Sequence, residues 1–229
     1  MAGWPDDSAL VTWMGATGSV ISEAHLEILM EGVSDGLKDE AERHTGWKPL
    51  ISNGTFEERV FNCPGPHTVT GPHATHGGGV VLKLDGPILE LDDESPVRLE
   101  DLNGNTVKEF AEGTDFLLQP YNSPYATRLV FRRGLAGYDG RLVVPAKWGR
   151  FAADAVPMDI IQAVRQVAQA RVYQARVIAS VGSGLTGWKE GDTSESRDAK
   201  AAADALNLAE SQFRGVLTGY MRIDIGVGL

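Results

Sequence analysis

Cysteine is nearly absent from this sequence, and other absences narrow the protein class further. Cys63 is the single cysteine in 229 residues, which excludes an intrachain disulfide and a multi-cysteine metal site. No apolar run approaches the ~20 residues that a membrane-spanning helix needs. The first residues include Asp6 and Asp7 where a secretory signal peptide would be basic. We therefore expect a soluble protein made in a cytoplasm.

Basic residues are scarce relative to acidic ones. The chain has 21 Lys and Arg against 31 Asp and Glu, a net charge of −10. Such a chain does not wrap the outside of DNA, because neutralising phosphates takes clustered basic residues. It is compatible with a channel through which DNA slides. The one basic cluster either is solvated or lines a lumen or subunit boundary; its members are Arg128, Arg132, Arg133 and Arg141.

The N-terminal third predicts an arm followed by a helix. Residues 1–18 are turn-rich, and Trp4 and Trp13 in this arm anchor either onto the protein's own core or onto another subunit. Residues 19–44 predict one helix, because apolar residues recur every three or four positions. That stripe comprises Leu26, Leu29, Val33, Leu37 and Ala41, and Gly46 follows as a stop signal.

The middle of the chain, residues 50–148, predicts a β-region. Short runs of β-forming residues alternate with turn signals, such as the turn at Asp85-Gly86-Pro87. The sequence Asn103-Gly104-Asn105 between two such runs predicts a hairpin. Because the strands are short and close in sequence, we expect a compact antiparallel sheet or a small sandwich.

The last third predicts a pair of helices. Residues 157–179 form a helix opened by Pro157, with an apolar face wide enough to contact the sheet on one side and another subunit on the other. The candidate interface residues of this helix are Ile160, Val164, Val167 and Ile178. A Gly/Ser-rich break at 180–195 precedes a second, alanine-rich helix from about residue 196.

The chain ends in a segment with strand periodicity. Apolar residues alternate with Arg, Asp and Gly, a period of two; they are Met221, Ile223, Ile225, Val227 and Leu229. An isolated strand is not stable in water. We expect this tail to add to a partner's sheet, with the chain's own sheet as the alternative.

Two motifs suggest chemistry, but their context is wrong for it. Gly32–Gly36 matches the G-x-S-x-G of a serine hydrolase around Ser34, and His76–Gly79 resembles an oxyanion-hole segment. Ser34, however, falls inside a helical stripe, and the two motifs stand in the reverse of the usual order. The loop at 63–79 also contains His67, His73 and His76 near Cys63, in spacings that match no compact zinc pattern. We predict no catalytic residue, no metal and no cofactor.

The order of these features resembles the head–tail connector, or head completion adaptor, proteins of tailed bacteriophages. Three stretches carry the resemblance: the helix ending at His44–Leu50, the β-region, and above all the join from Arg141 to Ala168. In that family a strand leads through Trp-Gly to a Val-Pro that opens a helix with an early Ala, here Ala163. The fold-fixing turn is therefore Trp148, Gly149, Val156 and Pro157.

The resemblance implies an α+β fold and a role in virion assembly. The fold has an N-terminal helix, a small antiparallel β-region, and a long C-terminal helical pair with an extended tail. The expected division is an arm at 1–18, an adaptor core at 19–179, and a C-terminal extension at 180–229. Family members form a ring, typically of twelve subunits, that docks under the portal, lets DNA pass without sequence-specific binding, and receives the next neck or tail protein. The alternatives are another phage neck or tail completion protein, or a serine hydrolase using Ser34.

Overall fold

The computed structural model describes residues 3–16, 23–62, 80–121, 123–132, 140–182 and 191–221, and the structural statements below concern these residues. The elements are α1 (Asp7–Ala16), α2 (Glu23–Met30), α3 (Val33–Thr45), β1 (Glu57–Asn62), β2 (Val80–Leu91), β3 (Val97–Glu100), β4 (Thr106–Phe110), β5 (Phe116–Gln119), β6 (Ala126–Phe131), β7 (Arg141–Trp148), α4 (Met158–Gly182) and α5 (Gly191–Thr218). The predicted α+β class, with its antiparallel β-region and C-terminal helical pair, is confirmed.

The chain forms two compact units. The helical unit consists of the described residues within Met1–Gly46 and Asp154–Arg222, and the sheet unit is built from those within Trp47–Ala153. The sheet unit is thus inserted in the sequence between α3 and α4. In the part of the chain that the structure describes, no helix is long and apolar enough to cross a membrane.

The single helix predicted over residues 19–44 is wrong, because the chain breaks between Met30 and Val33. Gly32 adopts the left-handed conformation, with φ 71°, so α2 ends and α3 begins around it. The apolar periodicity continues across the break, which is why the sequence pattern hides it. The predicted stop is confirmed: Gly46, with φ 74°, ends α3 and donates its N–H to the Glu42 carbonyl.

The segment predicted as a loose arm contains α1. Leu10, Val11 and Met14 on this helix are all buried, and they recur at helical spacing. An amphipathic helix is stabilised mainly by burying such a face against neighbouring elements. Here α1 packs against α2 and, less extensively, against α4.

The long helices α4 and α5 pack along each other. They contain 25 and 28 residues, which corresponds to about 37 and 42 Å. The helix α5 buries one face, made of Ala202, Ala209, Phe213 and Leu217. Where α4 begins and α5 ends, the Tyr220 hydroxyl donates a hydrogen bond to the Asp159 carboxylate over 2.9 Å. The helix α5 starts at Gly191, earlier than the residue 196 predicted.

The sheet unit contains one seven-stranded antiparallel sheet. Its order is β4-β3-β7-β2-β6-β5, and β1 pairs with the other side of β7. The predicted turn at Asp85-Gly86-Pro87 is wrong, because these residues lie inside β2, at a register shift between Lys83 and Ile88. The first half of β2 pairs with β6 and the second half with β7. Gly86 fits this irregularity since a Cβ there would lie 2.6 Å from the Lys48 carbonyl oxygen.

The sheet unit has a core rich in aromatic residues. Phe131 packs edge-on against Phe110 at a centroid distance of 5.1 Å and lies 5.5 Å from Phe116. Trp148, only 1% exposed, belongs to the same core, as do Leu129 and Leu142. The predicted hairpin at Asn103-Gly104-Asn105 is confirmed, since it joins β3 to β4 with Gly104 at φ 85°.

The chain enters and leaves the sheet unit at adjacent points. The Leu50 carbonyl accepts hydrogen bonds from the N–H groups of both Arg150 and Phe151, each at 3.0 Å. The Ser52 N–H donates to the Phe151 carbonyl over 2.9 Å. These bonds tie the first and last residues of the unit together.

Candidate functional site

Ser34 has a structural environment and not that of a nucleophile. Its hydroxyl donates to the Pro5 carbonyl over 2.8 Å and accepts from the Trp4 indole N–H over 3.0 Å. The side chain is 5% exposed and stands in the first turn of α3. A catalytic serine needs its proton in contact with a general base and its oxygen open to substrate. The geometry of Ser34 provides neither, so it does not support the hydrolase alternative.

Trp4 and Trp13 both contact the helical unit of their own chain. Trp4 bonds to Ser34, as described above, and Trp13 on α1 is half-buried. The guanidinium carbon of Arg165, on α4, lies 5.5 Å from the Trp13 ring centroid, a cation–π distance. Of the two readings left open by the sequence, the structure supports the anchor onto the protein's own core for both residues.

Asp7 holds this N-terminal segment against the start of α3. One carboxylate oxygen accepts the Ser34 N–H over 2.9 Å, and the other accepts the Gly32 N–H over 2.8 Å. The first N–H groups of a helix have no partner within the helix, and a carboxylate there also interacts favourably with the helix dipole. Because Asp7 lies 27 positions before Ser34 in the chain, no sequence pattern near α3 could have predicted this cap.

The apolar face of α4 divides into a buried and an exposed part. Ile160, Val164 and Val167 have no exposed surface, so they pack inside the helical unit and are not available as the subunit interface expected for them. Ile178 stands 18 positions after Ile160, about five helical turns, and therefore on the same face. It is 60% exposed. Of the four candidate residues on this helix, only Ile178 remains a candidate contact for a partner.

The strand–turn–helix join is defined most tightly at Trp148 and Gly149. The Trp148 indole N–H donates to the Glu57 carbonyl of β1 over 2.8 Å, and the Arg59 guanidinium carbon lies 4.3 Å from its ring centroid. The Gly149 N–H donates to the Pro87 carbonyl over 2.9 Å. A Cβ at Gly149, where φ is 154°, would lie 2.5 Å from the Ser52 amide nitrogen. Only glycine fits this position, so the turn has one geometry.

The second half of the join begins α4. Val156 is buried, and the Pro157 carbonyl accepts the Ile161 N–H over 3.2 Å, the first bond of the helix. A proline at this point loses nothing, because the first N–H groups of a helix have no partner within it. Trp148 and Gly149 thus lie at the end of β7, and Val156 and Pro157 directly precede α4. Their role in fixing the fold and in assembly stays a prediction.

The described arginines of the predicted basic cluster do not lie together in the sheet unit. Arg128 on β6 stands opposite Lys83 and Gln119, whereas Arg141 on β7 stands opposite Glu100 of β3. Arg132 is exposed beyond the end of β6, and Arg133 lies outside the described residues. The strand β2 separates β6 from β7.

Arg141 belongs instead to an ion-pair network around Glu100. The two Glu100 carboxylate oxygens accept from Arg98 Nε and Arg141 Nε, each over 2.9 Å, and Arg98 also contacts Glu58 over 2.8 Å. Glu100 is 7% exposed. The hydrogen bond from Arg98, and to a lesser extent the bond from Arg141, lowers the pKa of the Glu100 carboxyl. The pKa of Arg98 is raised, and its hydrogen bond to Glu58 is the largest cause. Sequence reasoning missed this network because it depends on the β3–β7 register.

A cluster of aromatic rings around Arg150 was also missed. The guanidinium carbon of Arg150 lies 3.7 Å from the Tyr125 ring centroid and 5.0 Å from that of Phe151. Trp47 packs edge-on against Tyr125 at 5.4 Å. These residues come from both ends and the middle of the sheet unit, so no spacing along the sequence could reveal them. Cation–π contacts of this kind stabilise the place where the chain enters and leaves the unit.

Several predicted features lie outside the described residues. They are the loop with Cys63, His67, His73 and His76, and the tail residues Ile223, Ile225, Val227 and Leu229. Met221, the first residue of the alternating tail, is described and is 46% exposed. Within the described ranges, no group of three or more His, Cys, Asp or Glu residues could hold a metal ion.

These observations define an α+β protein whose distinctive features are a closely packed turn after β7 and exposed apolar residues on both units. No protein-family model and no curated protein matches the sequence. Among solved structures the chain is similar to one described as the neck of an empty GTA particle computed with C6 symmetry. The two share 20% sequence identity over 67% of each chain, with a TM-score of 0.41. A similarity of this extent does not establish a shared fold.

Proposed function

We propose that this chain is a structural protein of the neck of a tailed-phage-type particle. As a head–tail adaptor it forms a ring under the portal, extends the DNA channel, and presents a platform for the next neck or tail protein. The observation that carries the proposal is the join: the stretch that most resembles the connector family forms, in the expected order, β7, Trp148–Gly149, Val156–Pro157 and α4.

The geometry of the join suits a subunit that must repeat itself. A ring of identical subunits closes only when each copy reproduces the same rotation to the next. Trp148 and Gly149 are fixed by β1, by β2 and by the backbone at Ser52. The backbone conformation at Trp148 and Gly149 is therefore the same in every copy.

The exposed apolar residues suit assembly with other proteins. Ile178 is 60% exposed on α4, and Met221 begins the alternating tail. In the proposed ring, which the family resemblance puts at twelve copies, Ile178 contacts a neighbouring subunit. The tail adds as a strand to the portal or to a neighbour, because a strand with alternating apolar residues gains both main-chain bonds and burial from an open sheet edge.

The charge distribution suits a channel that DNA traverses without being held. The net charge is −10, and both Arg98 and Arg141 are paired with Glu100. Phosphate binding depends on basic groups that are available to release counterions. A lumen with this composition repels the phosphate backbone weakly and binds no particular base sequence.

The proposal is tested by electron microscopy of the purified protein mixed with a portal protein from the same source. We expect rings of this protein stacked coaxially on portals. Each class of particle images should show the same number of ring–portal contacts around the axis. The Trp148→Ala variant serves as the perturbed sample and a Leu208→Ala variant as the matched surface control. Failure of the wild-type chain to bind portal, in samples where portal rings are intact, would overturn the proposal.

A further inference from the structure

The strand β1 has an open edge in the described sheet. All six of its residues, Glu57–Asn62, pair with β7 without a register shift, and no other described strand pairs with them. The backbone N–H and C=O groups along the free side of an edge strand can bind a further strand. The open edge of β1 is therefore a candidate site for strand addition.

The other two edge strands of the described sheet, β4 and β5, are better protected. The strand β4 contains Lys108 and has a register shift in its pairing with β3. The strand β5 has only four residues and is followed by Pro120, and its Phe116 carbonyl accepts the Gly113 N–H over 2.8 Å. Lysine, proline, irregular pairing and short length are features by which proteins prevent strand addition. Because β1 contains no lysine, no proline and no register shift, its edge is the most accessible of the three.

The side chains of β1 offer apolar surface on both faces of the sheet. Val60 is 54% exposed. Phe61 is half-buried and points to the opposite face, where its ring centroid lies 6.1 Å from that of Trp148. A strand added beside β1 would cover part of both side chains.

The charged residues near the start of β1 already have partners in the same chain. Glu58 contacts Arg98 over 2.8 Å, and Arg59 contacts Asp85 over 3.0 Å. An added strand would therefore gain main-chain hydrogen bonds and apolar burial, the two contributions that strand addition uses, and would need no new ion pair.

The alternating segment that begins at Met221 has the length and composition of such a strand. Residues 221–229 contain no proline, so each of them can donate a backbone N–H, and apolar residues occupy every second position. Nine extended residues span about 30 Å, whereas the six residues of β1 span about 20 Å. The segment can thus pair with all of β1 and still leave a short connection to α5. It starts from an accessible point, since Met221 is 46% exposed.

We propose that residues 222–229 of one copy add as a strand to the open edge of β1 in a neighbouring copy, beside Val60 and Phe61. The tail and β1 are two different patches, so a copy that gives its tail to one neighbour can accept a tail from another. Such a contact builds a ring when its rotation closes. The inference rests on the proposed ring assembly and names the edge that receives the tail.

Cross-linking between cysteines tests the contact directly. In a Cys63→Ser background, Val60→Cys and Ile225→Cys are made as separate proteins, mixed in the presence of portal, and treated with a short bismaleimide, which joins neighbouring cysteines without requiring an exact register. The control mixture pairs Ile225→Cys with Val107→Cys, since Val107 is 51% exposed on the edge strand β4. We expect covalent dimers about tenfold faster from the Val60 mixture, because docked partners react at a high effective concentration. Equal rates in the two mixtures would overturn the contact.

A chain with both Val60→Cys and Ile225→Cys shows which copy receives the tail. Tails that bind neighbouring copies should give a ladder of covalent oligomers that ends at the ring size. An internally cross-linked monomer would show that the tail pairs with its own β1, and a product that joins Ile225→Cys to portal would show that portal receives it. Either of these two results would refute the neighbouring copy as the acceptor.

Native mass measurement of the uncross-linked protein, with and without portal, separates this inference from the proposed function. Rings that bind portal but give no Val60 cross-link refute the strand contact alone. Cross-linked rings that do not bind portal support the contact and refute the proposed function, and the absence of both rings and portal binding refutes the two together. Val60 and Val107 are both exposed, so circular dichroism should show an unchanged fold in each variant.

Discussion

Replacing Gly149, the single glycine of the join, with alanine is expected to destabilise the protein strongly. The new Cβ would lie 2.5 Å from the Ser52 amide nitrogen and 2.8 Å from its Cα, both backbone atoms that cannot rotate away. Forcing apart a packed contact costs about 1–3 kcal/mol. The positive φ of 154° adds about 1–3 kcal/mol of backbone strain for a residue with a Cβ.

The sum, about 2–6 kcal/mol, is a large share of the ~5–15 kcal/mol by which a native protein is stable. Urea denaturation followed by circular dichroism gives the free energy of unfolding, and an unchanged m value confirms that the two proteins unfold to the same extent. Because Gly149 packs against the Ser52 backbone, assembly of the proposed ring should fall in parallel with stability.

Two other glycines separate the steric and conformational contributions. Gly113 has φ 79° and nothing within 4 Å of its Cβ position, so Gly113→Ala should cost only the strain, about 1–3 kcal/mol. Gly36 lies inside α3 with the same open space, so Gly36→Ala should stabilise by about 0.5–1 kcal/mol. If Gly149→Ala cost no more than Gly113→Ala, the reasoning about Ser52 would be refuted.

Two further predictions concern charge and the tail. Glu100→Gln should lower stability at neutral pH, and the difference from wild type should shrink as the pH falls below 4.5, the ordinary pKa of the group. The reason is that a carboxyl whose pKa is lowered in the folded state stabilises the fold above its unfolded pKa. That contribution is lost as the carboxyl is protonated. Urea midpoints between pH 3 and 7 measure this, with the exposed Glu112→Gln as control, and a pH-independent difference would contradict the network. Deleting residues 222–229, which keeps the Tyr220–Asp159 hydrogen bond, should leave thermal stability unchanged and abolish attachment to the partner in pull-down; a lowered melting temperature would show that the tail belongs to the chain's own fold.

The sequence predicted elements where local chemistry decided them. The hairpin at Asn103-Gly104-Asn105 formed as expected, since Gly104 supplies the positive φ that the turn needs. Gly46 ended α3 for the same reason. These residues determine the backbone within a few positions of themselves, so a local sequence signal was enough to predict them.

The failures occurred where distant residues decided the local structure. Residues Asp85-Gly86-Pro87 have the composition of a turn, yet β2 continues through them because β6 and β7 pair with its successive halves. The helix break at Gly32 is stabilised by Asp7, 25 residues earlier. In both places tertiary contacts outweighed a local preference, which a single sequence cannot display.

For the candidate interface residues of α4, too, the sequence predicted the local feature but not the one that depends on distant residues. The spacing of Ile160, Val164, Val167 and Ile178 correctly placed them on one face of a helix. Which of them remain exposed depends on where the other helices end, and only Ile178 does. The Glu100 network requires strand register, so periodicity along the chain could not have indicated it.

The hydrogen bonds between Leu50 and residues 150 and 151 have an evolutionary consequence. Because the two ends of the sheet unit are tied side by side, the whole β-region is a cassette whose removal leaves a gap that a short linker can close. The entropic cost of closing a loop rises only slowly with its length. Related genes can therefore exchange this cassette, or enlarge it, while the helices that flank it in the sequence keep their own packing.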